Sequence, residues 1–163
     1  SKLGNFGKAI TEYQEAIYID HEYVDAHFNL GNTYTKLGNL DEAITKYQEA
    51  IHIDPKYLSA YDGLANVYVK KRKLLDAIAE YRKAIEINPR YADAYYNLGE
   101  IYFNQGNLNE AVKQYQNAIE INANYPRAHY NLGRIYQNLD NRVLTISEYK
   151  KAIEIDPKFT EAH

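Results

Sequence analysis

The sequence predicts an all-α fold, an array of antiparallel helix hairpins stacked as a solenoid, and three observations predict it. A phrase returns every 34 residues: Phe28-Asn29-Leu30-Gly31, a degenerate Asp62-Gly63-Leu64-Ala65, Tyr96-Asn97-Leu98-Gly99 and Tyr130-Asn131-Leu132-Gly133. A second phrase, Ala-Ile-x-Ile, keeps the same step from Ala16–Ile19 through Ala50–Ile53, Ala84–Ile87 and Ala118–Ile121 to Ala152–Ile155. Between the phrases the apolar residues recur at helical spacing. Two phrases locked to one period describe units that bury an apolar face only by stacking on their neighbours.

The elements follow in order. Residues 1–23 read as a turn, Gly4-Asn5-Phe6, and the second helix of a preceding unit, with Ala9, Tyr13 and Ala16 in phase. Four complete units follow, 24–57, 58–91, 92–125 and 126–159, and residues 160–163 open a further one. This phase makes the chain a piece of a longer array, with no polar capping helix at its C-terminal end and an apolar end expected to be exposed there. In the third unit, Ala94, Tyr95, Leu98, Ile101 and Tyr102 form one face of a helix within 92–105. Gln105-Gly106-Asn107 then makes a turn, because Gly and Asn tolerate the left-handed conformation that ends a helix. A second helix is predicted over Leu108–Ile121, with Ala111, Val112, Tyr115, Ala118 and Ile119 inward. Asp54-Pro55, Asn88-Pro89 and Asp156-Pro157 stop second helices, since proline cannot continue the ladder. Ala123 departs from that proline, with Pro126 following as a first-turn residue. Arg72 and Asp140 replace the turn glycine, Thr145 replaces a packing alanine, and Arg142 stands where the other units have Leu40, Leu74 and Leu108. The last unit is therefore expected to be the least regular.

Composition narrows the function. The 163 residues are 45% hydrophobic and 25% charged, so a core is available, and the aromatic content lies in 18 Tyr and 4 Phe with no Trp. Tyrosine, an apolar body with a polar tip, suits half-buried surfaces between helices. A net charge of -3 gives no electrostatic case for a nucleic-acid or anionic-membrane partner. The basic run Lys70-Lys71-Arg72-Lys73 sits at a predicted turn and reads as solvated. Without cysteine there is no disulfide, thiolate metal site or cysteine nucleophile, which fits an intracellular, cytoplasmic setting. No apolar stretch is long enough to span a bilayer and no signal peptide is visible.

An enzyme is not indicated. No HExxH, phosphate-binding glycine loop or nucleophile elbow occurs, and no catalytic residue, metal or cofactor is assigned. His27, His129 and His163 share one repeat position, which Tyr61 and Tyr95 fill in other units, so packing is their expected role.

These residues resemble the tetratricopeptide repeat, whose pattern is W-x2-L-G-x2-Y, then A-x3-F, then P. The first part reads His27, Leu30, Gly31, Tyr34; Tyr61, Leu64, Ala65, Tyr68; Tyr95, Leu98, Gly99, Tyr102; and His129, Leu132, Gly133, Tyr136. The second reads Ala43 with Tyr47, Ala77 with Tyr81, Ala111 with Tyr115, and Thr145 with Tyr149. The resemblance covers essentially the whole chain. It implies a right-handed superhelical array and a non-enzymatic protein-interaction scaffold that holds a peptide in a concave groove lined by the first helices.

Mapped onto this sequence, the implied groove carries Phe28, Asn29 and Asn32; Asn66; Tyr96, Asn97 and Glu100; and Arg127, Tyr130, Asn131 and Arg134. Asp25, Ser59, Asp62, Asp93, Phe103 and Gln137 share that face. Amides interleaved with rings suit an extended peptide, the amides pairing with its backbone and the rings holding its side chains. The family's clamp for a chaperone's C-terminal carboxylate is disfavoured. In the best register Asp62 stands for its first Lys and Asn131 for its Arg, with only Asn66, Asn97 and Arg127 compatible. The asparagine ladder of O-linked N-acetylglucosamine transferases is matched by Asn29, Asn97 and Asn131 and interrupted by Gly63. An alternative reading is thus the substrate-recognition region of such a larger enzyme. A further alternative is structural, the open ends stacking copy upon copy in end-to-end self-association.

Overall fold

The computed structural model describes residues 2–158, with side chains described from Phe6 onward. The described residues form helices and no strand: α1 (Lys2–Ile19), α2 (Val24–Leu37), α3 (Leu40–Ile53), α4 (Leu58–Lys70), α5 (Leu74–Ile87), α6 (Ala92–Asn104), α7 (Leu108–Ile121), α8 (Pro126–Asn138) and α9 (Arg142–Ile155). The expected second helix of the third unit is thus α7, residue for residue. The chain divides into two compact units, Ser1–Asn88 and Pro89–His163, and each is described separately.

Two kinds of turn punctuate the helices. Within each hairpin, one residue adopts the left-handed conformation: Gly38 (φ 83°), Arg72 (φ 59°), Gly106 (φ 75°) and Asp140 (φ 54°). The next amide then closes each turn in the same way, Asn39, Lys73, Asn107 and Asn141 donating to the carbonyls of Tyr34, Tyr68, Tyr102 and Tyr136 at 2.9–3.0 Å. The turn therefore survives where the sequence lacks glycine, at the cost of strain at Arg72 and Asp140. Between hairpins, a side-chain carbonyl or carboxylate folds the chain. The Oδ1 atoms of Asp20, Asp54, Asn122 and Asp156 accept from the amides of Glu22, Lys56, Asn124 and Lys158 at 2.9–3.1 Å. Asn122 explains how Ala123 replaces proline without loss of the turn.

One expected turn is absent. Gly4-Asn5-Phe6 lies inside α1 as helix. At Gly38 and Gly106 the left-handed glycine closes a helix that has just ended, whereas no described helix precedes Gly4 for it to terminate.

The core of each hairpin is built on a tyrosine, which lies on a glycine at Tyr47, Tyr115 and Tyr149. Tyr47, Tyr81 and Tyr115 are almost completely buried, beside Ala43, Ala77 and Ala111, which expose nothing. A Cβ built on Gly31 would lie 2.8 Å from the Tyr47 ring, and one on Gly63 2.7 Å from the same ring. Tyr47 is therefore gripped between the first helices α2 and α4, which gives Gly63 a packing reason where its repeat-mates are asparagines. In the second unit, Ala111 and Tyr115 cluster with Ala128, Leu132 and Ile135, and Tyr96, Tyr102 and Phe103 pack around them.

The last hairpin differs from expectation in kind. The backbone of α9 is as regular as its counterparts, 14 residues long like α3, α5 and α7. What changes is cover: Thr145 and Tyr149 are only half-buried, and Val143 and Ile146 are exposed. Helix formation needs only local hydrogen bonds, whereas burial needs a neighbour, and no described helix follows α9. The expected opening of another unit at 160–163, and His163 with it, lies outside the described residues.

Candidate interaction face on the first helices

On α2, α4, α6 and α8, many of the predicted face residues are occupied by the fold itself. A buried phenol needs a hydrogen-bond partner. The hydroxyl of Tyr47 donates to Oδ1 of Asn32 at 2.8 Å, that of Tyr81 to Oδ1 of Asn66 at 2.9 Å, and that of Tyr115 to Oε1 of Glu100 at 2.5 Å. Each pair spans 15 residues. The fourth residue in this series is Arg134, which has no acceptor atom. Tyr149 turns instead to Oε1 of Gln137 at 3.0 Å. Sequence reasoning assigned Asn32, Asn66 and Glu100 to a ligand and missed this device. The signal was present as an acceptor recurring at fixed distance before each core tyrosine.

Rings fix the aromatic part of the face. In the first unit Phe28 packs against Tyr47 with centroids 5.9 Å apart and edge-on to Tyr57 at 5.4 Å. Tyr57 is anchored in turn by its hydroxyl, which donates to Oδ1 of Asp25 at 2.6 Å. The second unit repeats the arrangement: Tyr96 lies 5.7 Å from Tyr115 and stacks on Tyr125 at 5.1 Å, whose hydroxyl donates to Asp93 at 2.6 Å. Tyr130 stacks on Tyr149 at 5.6 Å. Phe28, Tyr96 and Tyr130 are thus held half-buried. Burial first, and then the charge of Glu100, pushes the Tyr96 phenol up to about 12. Burial and the Asp25 carboxylate raise Tyr57 to about 12, and Tyr115 and Tyr125 are raised by burial and by bonds to Glu100 and Asp93. These phenols stay neutral donors at neutral pH.

The most connected part of the face is in the second unit. Nδ2 of Asn131 donates to Oε1 of Glu100 at 2.6 Å and to the Tyr96 hydroxyl at 3.3 Å. Arg134 Nη1 donates to Oδ1 of Asn131 at 3.4 Å, and its guanidinium lies 4.7 Å over the Phe103 ring and 5.8 Å from that of Tyr130. Asn131 is 4% exposed, so this member of the expected ladder is built into the protein rather than presented. Asn29 and Asn97 are half-buried, while Arg127 and Arg134 are exposed.

His27 Nδ1 sits 2.8 Å from Glu49 Oε2 and its Nε2 3.0 Å from the His21 carbonyl, and His129 Nδ1 sits 2.6 Å from Glu148 Oε2. Both rings are buried and tie a first helix to a second. Burial works to raise Glu49 and Glu148, but the hydrogen bonds from their lysine and histidine neighbours outweigh it and hold both carboxyls below the usual range. Among the described residues no group of three or more His, Cys, Asp or Glu side chains is placed to hold a metal ion. No described helix is long and apolar enough to cross a membrane.

Paired helices at a constant repeat, three of the hairpins locked by a buried tyrosine, define a helical repeat array. The chain belongs to the tetratricopeptide repeat family: the family model described as TPR repeat matches residues 2–38, 31–72, 65–106 and 99–140, and that described as Tetratricopeptide repeat matches residues 126–159. Among solved structures, the crystal structure of MamA is 29% identical, with a TM-score of 0.82, covering 98% of this chain and 94% of that one. TTC0263, a thermophilic TPR protein of Thermus thermophilus, is 24% identical with a TM-score of 0.75, covering 99% and 88%. The MamA RS-1 ArsTM double mutant is 19% identical with a TM-score of 0.79, covering 96% and 88%. These two lower identities speak to the fold alone. A search of curated proteins finds no significant match. Proteins of this fold are protein-interaction scaffolds and generally non-catalytic.

Proposed function

We propose that the protein binds an extended segment of a partner protein on the faces of its first helices, without catalysis. The observation that carries this reading is the set of half-buried rings, Phe28, Tyr96 and Tyr130, fixed by ring contacts at one position of the repeat. Rings immobilised before binding lose little side-chain entropy when a ligand covers them. The half-buried amides of Asn29 and Asn97 lie one residue further along the same helices, as donors and acceptors for a peptide backbone.

A peptide array probed with the protein and with an Asn29→Ala, Asn97→Ala variant tests the proposal. Asn131 is left intact because its bonds to Glu100 and Tyr96 are internal. With helicity confirmed by circular dichroism, the variant is expected to lose peptides that the parent retains. Equal binding by both contradicts the assignment of these amides.

A further inference from the structure

In the second unit the proposed face carries carboxylates and cations in equal number, and they differ in how they are held. Its two carboxylates are already committed as acceptors, Asp93 to the Tyr125 hydroxyl and Glu100 to both Tyr115 and Asn131. Its two cations, Arg127 and Arg134, are exposed, and neither reaches a carboxylate oxygen at ion-pair distance among the described residues. Arg134 is also oriented. Its guanidinium is laid over Phe103 at 4.7 Å and near Tyr130 at 5.8 Å, with one nitrogen toward Asn131 at 3.4 Å. Ring contacts cover the flat face of a guanidinium and leave its edge, the part that forks onto a carboxylate.

We infer that this face selects a segment bearing acidic side chains, with Arg134 as the anchor for one Asp or Glu carboxylate and Arg127 for a second. The inference rests on the peptide-binding reading above and adds the chemistry of the ligand. The spacing of the two cations favours separate carboxylates over a single dianionic phosphate. Arg127 and Arg134 are seven residues apart on α8, nearly two turns and roughly 10 Å along its axis, so they do not converge on one group. Phe103 and Tyr130 beside the anchor suit an internal segment, whose flanking side chains cover the rings, better than a chain terminus.

The test is selection of random linear peptides on the whole chain, followed by calorimetry on a selected peptide and its Asp→Asn or Glu→Gln counterpart, with the parent and with Arg134→Gln. Selected peptides are expected to be enriched in Asp and Glu. Neutralising the anchored acid should weaken binding to the parent by about tenfold or more, the scale of a lost charge-assisted hydrogen bond. The same change should matter little to Arg134→Gln, because the partner of the acid is already gone. Arg134 is exposed and replaced conservatively, and the coupling between the two changes is read independently of any loss shared by both peptides. Acid-poor peptides, or an acid whose removal costs as much in the variant as in the parent, overturn the inference and leave the face as the binding surface. If no peptide binds the parent at all, both readings fall together.

Discussion

Gly99 sets a local preference against a tertiary one. In a helix, alanine is favoured over glycine by about 1 kcal/mol, yet a Cβ at Gly99 would lie 2.6 Å from the Tyr115 ring. The ring has nowhere to go, since it exposes no surface and its hydroxyl is held by Glu100. We predict that Gly99→Ala destabilises the protein by about 1–3 kcal/mol. Gly7→Ala is the control, because nothing described lies within 4 Å of its added Cβ; it should be neutral or slightly stabilising. Chemical unfolding of both variants checks this, and a Gly99→Ala protein as stable as the parent contradicts the packing account. At this scale the sequence was legible where composition dictates contact: the tyrosine and small-residue positions of the first three hairpins fall in the core as read. It did not reveal the internal bonds of Asn32, Asn66, Glu100 and Asn131, because a polar residue on a half-exposed side of a helix looks the same whether it meets a ligand or a phenol of the fold. Only the constant spacing to the tyrosine separates the two.

At the scale of elements, the two helices of the third unit are legible to within a residue because periodicity and turn chemistry agree, whereas the turn read at Gly4-Asn5-Phe6 is helix. The left-handed turn residue was readable as well, even where it is Arg72 or Asp140, because the repeat fixes its position. A non-glycine residue in that conformation costs on the order of 1–2 kcal/mol, of which glycine's extra freedom in the unfolded chain returns about half. Arg72→Gly and Asp140→Gly should each therefore raise stability by about 0.5–1 kcal/mol, seen as a higher denaturation midpoint with unchanged slope. A lower midpoint would show that the side chain contributes more than the strain removes. The stop signals between hairpins were only partly legible. Proline drew attention, while the side chains of Asp54 and Asn122 fold the chain whether proline follows or not.

Across the whole molecule, the tyrosine device is present in both compact units, so alkaline pH should act on both. The phenols of Tyr57 and Tyr96 stand at about 12, whereas tyrosine in an unfolded chain titrates near 10. The folded state holds protons that the unfolded state has released, so stability is fully present below about pH 10 and is lost as pH rises toward about 12. The urea midpoint should be flat between about pH 7 and about pH 9 and fall steeply above; a midpoint unchanged to about pH 12 would contradict the buried-phenol assignment. The same economy shapes function. Because the phenols and their acceptors satisfy one another, we propose that the first helices offer a partner their fixed rings, the amides of Asn29 and Asn97, and the arginines of α8. The most direct measurement of that claim is hydrogen exchange of the whole chain with and without a selected peptide. The account predicts added protection concentrated in α2, α4, α6 and α8; protection concentrated instead in α3, α5, α7 and α9 would place the interaction on the opposite side and contradict it.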